Sequence, residues 1–157
     1  MKFIVKRSKI DGVIDIPGSK SHTIRALFFA TLADGESRIF KPLVSEDAIS
    51  SLNSCKVFGG DIKDTKDGYI VNGINGKPKL PENIIDVGNS GTTLRIALSV
   101  ASLIDGYTIF TGDEQIRNRL VAPVIEALNN LEAFATTSRN NGKAPAIIRG
   151  VAKGGKT

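Results

Sequence analysis

The sequence is poor in the residues that most often carry chemistry. It has one cysteine, Cys55, so no disulfide can form within the chain, and an intracellular, cytoplasmic location is the expectation. Its one histidine, His22, stands beside Lys20 without a carboxylate or nucleophile in motif spacing, and reads as a surface residue. There is no tryptophan, and aromatic residues make up 6% of the chain. With no basic run and no zinc-ligand spacing either, base stacking and nucleic-acid binding find little support. The longest apolar stretch, residues 26–33, is far short of the ~20 residues that cross a bilayer. The opening MKFIVKRSK lacks the apolar core of a secretory signal. No membrane partner is expected.

What is present is ordinary in bulk: 41% hydrophobic and 24% charged residues over 157 positions, enough for one domain. The net charge of +5 becomes informative only where cations gather at glycine-rich turns.

Self-comparison gives the main structural clue. Ile14-Asp15-Ile16, a Gly/Ser turn, Arg25, an apolar stretch and Asp34-Gly35 recur as Ile85-Asp86-Val87, a Gly/Asn/Ser turn, Arg95, an apolar stretch and Asp105-Gly106. The offset is 70 or 71 throughout. Each copy continues in parallel. A short strand (37–40; 107–110) leads to a second helix (46–58; 120–131) and two more strands (61–64 with 69–72; 134–138 with 146–149). Ser45 is the expected N-cap of the first of these helices, with Glu46 and Asp47 as favourable first-turn charges. Ile49, Leu52 and Cys55 share that helix's apolar face, so Cys55 reads as a small core residue. Gly35, Gly59 and Gly106 sit where left-handed C-caps are expected, and 66–68 and 140–142 look like hairpin turns. Each unit thus reads β-α-β-α-β-β, an α+β pattern. The first helices, 21–33 and 92–104, are apolar around most of their circumference, which suits burial on several sides by more protein than two units supply.

The turns carry the chemistry. Pro17-Gly18-Ser19-Lys20-Ser21 follows a strand and opens a helix, where unsatisfied backbone N–H groups attract anions. Lys20 adds a charge, Ser21 a hydroxyl, and Arg25 a guanidinium one turn further on. The turn lacks the spacing of a Walker motif, and taken alone it is also what a plain helix start looks like. The second copy repeats the arrangement as Gly88-Asn89-Ser90-Gly91-Thr92-Thr93-Leu94-Arg95. A third cationic segment, Thr111-Gly112-Asp113-Glu114-Gln115-Ile116-Arg117-Asn118-Arg119, leads into the last helix, whose dipole also favours anions.

PGSKSHTIRALFFATLADG, LVSEDA, GNSGTTLR and TGDEQIRNR, in this order and spacing, resemble the 5-enolpyruvylshikimate-3-phosphate synthases, the enolpyruvyl transferases of the shikimate pathway. The resemblance covers essentially the whole chain. It implies an inverse αβ-prism fold of two domains, each of three βαβαββ units. Residues 13–76 and 83–151 would be two of the three units of one domain, and 1–12 a strand belonging to the opposite domain. The implied reaction moves the enolpyruvyl group of phosphoenolpyruvate onto the 5-hydroxyl of shikimate 3-phosphate, with no metal or organic cofactor. Lys20, Ser21 and Arg25 would hold shikimate 3-phosphate. Lys20, Asn89, Gly91 and Arg119 would serve phosphoenolpyruvate, and Arg95 would support the second turn. Family members commonly carry proline where this chain has Leu120, some also where it has Ile96, and glycine where it has Glu132. The Ser-Ser-Gln turn of the third unit, the acidic general base and further cations of the second domain have no counterpart here. The chain alone is therefore expected to lack turnover, and a companion supplying the remainder to restore it.

Overall fold

The computed structural model describes residues 2–156. The first unit contains α1 (Lys20–Leu32), β1 (Glu36–Phe40), α2 (Glu46–Val57), β2 (Asp61–Thr65) and β3 (Gly68–Asn72). The second contains β4 (Ile85–Asp86), α3 (Gly91–Ala101), β5 (Tyr107–Thr111), α4 (Glu114–Asn118), α5 (Ala122–Asn130), β6 (Phe134–Thr137) and β7 (Ala146–Arg149).

The repeat is visible in the sheets. The first has the order β1-β3-β2, antiparallel throughout, and the second repeats it as β5-β7-β6 with β4 added parallel to β5. One face of each sheet is buried by alternation: Ile62, Tyr69 and Val71 in the first, Phe110, Ala135, Ala146 and Ile148 in the second. Against these faces lie α1 and α3, which also pack on each other and on α2. Ile24, Leu27, Phe28, Leu94, Ala97 and Leu98 join the strand residues in one continuous core. No helix among the described residues is long and apolar enough to cross a membrane.

Four local expectations need correction. The strand expected at Ile14-Asp15-Ile16 does not form; residues 2–19 carry neither helix nor strand, and Ile14 and Ile16 are more than 80% exposed. Its counterpart β4 leads into Val87, and Ile85 and Val87 are buried where α2 of the preceding unit packs on β4. Among the described residues no helix packs on residues 14–16 as α2 packs on β4, and a pair of so few residues does not hold uncovered. Second, Gly35 and Gly59 have positive φ (79° and 103°) as C-caps should, but Gly106 does not. Gly106 is instead in close contact with Leu80, whose Cδ1 would lie 2.7 Å from an added Cβ. Third, the turn expected at 140–142 is part of a longer loop between β6 and β7, whereas Lys66 and Asp67 do form the tight turn between β2 and β3. Fourth, Glu114–Asn118 is a separate short helix, so Arg117 lies on α4, and Arg119 is its C-cap.

Cys55 is fully buried on α2, and burial pushes its thiol up to about 12. It is a core residue without nucleophilic character.

Candidate functional site

Each glycine-rich turn is fixed by its neighbours before any ligand arrives. In the first, Ser19 caps α1 by accepting from the His22 N–H. Thr23 Oγ1 accepts from the Leu43 N–H at 2.9 Å. Gly18 sits so close to the 41–43 loop that an added Cβ would lie 2.7 Å from the Lys41 carbonyl oxygen. The turn is thereby pressed onto the segment that leads into α2. Ser45 caps α2, and Asp47 in its first turn accepts from Lys20 Nζ at 3.2 Å.

In the second turn, Gly88 has φ 54°, a conformation that favours glycine. Its N–H donates to Asp86 Oδ1 at 2.8 Å, and the Ser90 N–H donates back to the Val87 carbonyl at 3.0 Å. Ser90 then caps α3 by accepting from the Thr93 N–H. The third cationic segment is fastened here too, because the Asp113 N–H donates to the Gly88 carbonyl at 2.9 Å.

Three of the arginines now separate by role. Arg95 donates from Nη1 to the Gly91 carbonyl and from Nη2 to the Leu120 carbonyl, both at 3.1 Å, tying α3 to the segment before α5. Arg119 reaches back to Asn89, its Nη2 lying 3.4 Å from Oδ1. Arg117 turns away and donates to the Gly112 carbonyl within its own segment. Gly91 lies between the other two: an added Cβ would stand 2.8 Å from Arg119 Nη1 and 3.1 Å from Arg95 Nη1. A glycine backbone at a helix start, flanked by two guanidinium groups, forms an open cradle for an anion.

The two turns meet across α2. Ser51 of α2 and Thr93 of α3 have hydroxyl oxygens 2.6 Å apart, and both residues are fully buried. Ser51 Oγ also donates to the Asp47 carbonyl at 2.9 Å, so the residue that holds Lys20 is joined to the start of α3. Lys20, Asn89, Gly91, Arg95 and Arg119 are therefore connected through one contiguous set of contacts. Ser21 and Arg25 lie one turn apart on α1, and neither makes a side-chain hydrogen bond among the described residues. Sequence reasoning missed Asp47 as a partner of Lys20. Its first-turn position already accounted for a carboxylate, and nothing in the spacing reported the second contact.

At the cradle Gly91 is buried, while the Arg95 and Arg119 side chains are exposed. A concavity of about 600 Å³ lies elsewhere, between α3 and α5, lined by Leu103, Val124, Leu128 and Leu131. No group of three or more His, Cys, Asp and Glu gathers in metal-binding geometry among the described residues.

Residues 4–157 match the family model described as EPSP synthase (3-phosphoshikimate 1-carboxyvinyltransferase). The 3-phosphoshikimate 1-carboxyvinyltransferase of Acetivibrio thermocellus is 53% identical over 157 residues, which is 100% of this chain and 37% of that relative. That of Methanothermobacter thermautotrophicus is 45% identical over 154 residues, covering 98% of this chain and 36% of its own length. The solved EPSP synthase from Acinetobacter baumannii superposes with a TM-score of 0.82 at 28% identity, covering 88% of this chain and 32% of that one. This chain thus spans little more than a third of the curated relatives it matches. The match over nearly its whole length and the shared α+β architecture show that this chain belongs to the EPSP synthase family.

Proposed function

We propose that this chain forms part of the anion site of an enolpyruvyl transferase that moves the enolpyruvyl group of phosphoenolpyruvate to the 5-hydroxyl of shikimate 3-phosphate, with release of phosphate, in the cytoplasm. Residues 13–76 and 83–151 are read as two of the three units of one domain, with 1–12 contributing a strand to the opposite domain. The observation that carries the reading is Gly91 flanked by the Arg119 and Arg95 guanidiniums, with Lys20 linked to the same turn through Asp47.

Addition and elimination pass through a tetrahedral intermediate that carries both substrates' negative charge. Groups fixed in advance stabilise such a state, because they need not reorganise as the charge develops. In this reading Lys20, Asn89, Gly91 and Arg119 serve phosphoenolpyruvate, and Arg95 supports them through its bonds to the Gly91 and Leu120 carbonyls. Lys20, Ser21 and Arg25 serve shikimate 3-phosphate. Holding two reactants in register supplies several kcal/mol, up to ~7–11 in ideal cases. General acid–base help, worth ~10²–10⁴-fold, would come from the remainder that the relatives carry.

Two titrations test this. The chain should bind shikimate 3-phosphate and phosphoenolpyruvate in preference to nucleotides, and release no phosphate from the two together. Adding the remaining two thirds of a relative as a separate polypeptide should restore phosphate release. Preference for nucleotides, or full turnover by the chain alone, would overturn the proposal.

A further inference from the structure

We infer that Asp47 is a positioning residue for Lys20, anchored to the second turn by a one-directional chain of buried hydroxyls. The inference rests on the proposed site, of which Lys20 is a part.

The direction of the chain follows from counting hydrogens, since each hydroxyl has one to give. Ser51 Oγ donates to the Asp47 carbonyl at 2.9 Å, so it must accept at its 2.6 Å contact with Thr93 Oγ1. Thr93 therefore donates to Ser51, and must itself accept at its 2.6 Å contact with Ser90 Oγ. Ser90 also accepts from the Thr93 N–H. The run is Ser90 to Thr93 to Ser51 to the Asp47 carbonyl, which Thr93 Oγ1 also approaches directly at 3.5 Å, so both contacts tie the Asp47 backbone to Thr93. Ser51, Ser90 and Thr93 are at 0% exposure, so water does not compete for these bonds.

The run ends on the backbone carbonyl of Asp47, and the carboxylate of the same residue lies 3.2 Å from Lys20 Nζ, with the two side chains 23% and 48% exposed. An ion pair this accessible adds little to stability. Its effect is on placement. A free lysine side chain samples many rotamers, and ordering a rotamer-rich side chain on binding lowers affinity by about two- to tenfold. The carboxylate orders Lys20 in advance and occupies one of its three N–H donors, leaving two for a ligand. Because Asp47 is held to Thr93 and Ser90, Lys20 is set relative to Gly91 rather than to its own turn alone.

Charge and placement predict opposite signs. A carboxylate beside an anion site repels the anion, so if charge were its only effect, removing it would tighten binding. If placement dominates, removing it loosens binding, and an asparagine that still accepts from Nζ rescues it. The test is titration of the whole ¹⁵N-labelled chain with phosphoenolpyruvate, following the Gly91 amide, with spectral dispersion as the check on folding. Asp47→Ala should weaken binding about three- to tenfold. Asp47→Asn should bind at least as tightly as the parent. In a Lys20→Ala background the Asp47→Ala effect should vanish. Asp47→Ala binding as tightly as the parent or tighter, or losing as much without Lys20, overturns the inference alone, provided Lys20→Ala by itself weakens binding. If Lys20→Ala changes nothing, or the parent chain does not bind, the site reading fails and the inference with it.

Discussion

Thr93 and Ser51, on helices of different units, hold their hydroxyl oxygens 2.6 Å apart in the buried seam between α2 and α3. The contact joins the two copies of the repeat at the point where their turns converge.

Replacing Thr93 with valine keeps the shape and removes the hydroxyl. Ser90 then loses its acceptor and Ser51 its donor, both in a dry environment. Leaving a buried polar group unpaired costs about 1–3 kcal/mol. Thr93→Val should lower the urea midpoint accordingly, without changing the slope of the transition. A midpoint equal to the parent's would mean that the seam is hydrated.

Gly91 has no positive φ, so its backbone accepts alanine, and the start of a helix accepts it readily. Its new methyl would instead meet the Arg119 and Arg95 guanidiniums at 2.8 and 3.1 Å. Gly91 is buried, so Gly91→Ala should cost some stability as the two side chains shift, about 1 kcal/mol, while weakening phosphoenolpyruvate binding by more than about tenfold, a factor equal to 1.4 kcal/mol. Undiminished binding in the titration would remove Gly91 from the cradle.

Glu132 adopts φ 62° in the turn after α5. A left-handed residue with a Cβ costs roughly 1–2 kcal/mol. The 3.0 Å ion pair to Lys153 is well exposed and offsets only part of this, about 0–1 kcal/mol. Glu132→Gly should therefore raise the unfolding free energy, and with it the midpoint, by up to about 1 kcal/mol, the strain relieved exceeding the extra chain entropy that glycine loses on folding. A lower midpoint would show that the ion pair outweighs the strain.

Cys55 gives a pH signature. Its thiol is held up to about 12 when folded, against an ordinary value of 9.0. The folded state keeps the proton while the unfolded chain releases it. The stabilising contribution is thus complete below pH 9.0 and is lost progressively as pH rises toward about 12. Stability measured from pH 8 upward should fall more steeply in the parent than in Cys55→Ala. Thiol reagents at pH 8 should react only as the chain unfolds. Identical pH slopes in the two proteins would contradict the assignment.

Much of this architecture is legible in sequence because the repeat is. Two copies of strand, turn, arginine, helix and Asp-Gly fix the element order, and period-two alternation fixes the buried faces at Val71 and Ile148. The resemblance carried the site residues, and the structure adds the contacts among Lys20, Gly91, Arg95 and Arg119. What local pattern cannot report is contact between units. Ile14-Asp15-Ile16 and Ile85-Asp86-Val87 look alike, yet only the second is covered by a helix from a preceding unit. Asp47 and Thr93 satisfy ordinary helix-start preferences, and those preferences hide their second partners. Arg117 and Arg119 are two residues apart and chemically equal; only the short α4 decides which one faces Asn89.

The missing pair for β1 has a consequence of its own. Along its outer side β1 offers unpaired N–H and C=O groups, with Phe40 71% exposed at one end. Residues 2–16 of the same molecule supply Phe3, Ile4, Val5, Val13 and Ile14, all open to solvent. One copy therefore carries both an unpaired strand edge and an exposed apolar segment. Such molecules zip edge to segment between neighbours as concentration rises, so light scattering should climb with protein concentration and subside when Ile14 or Phe40 is replaced by lysine.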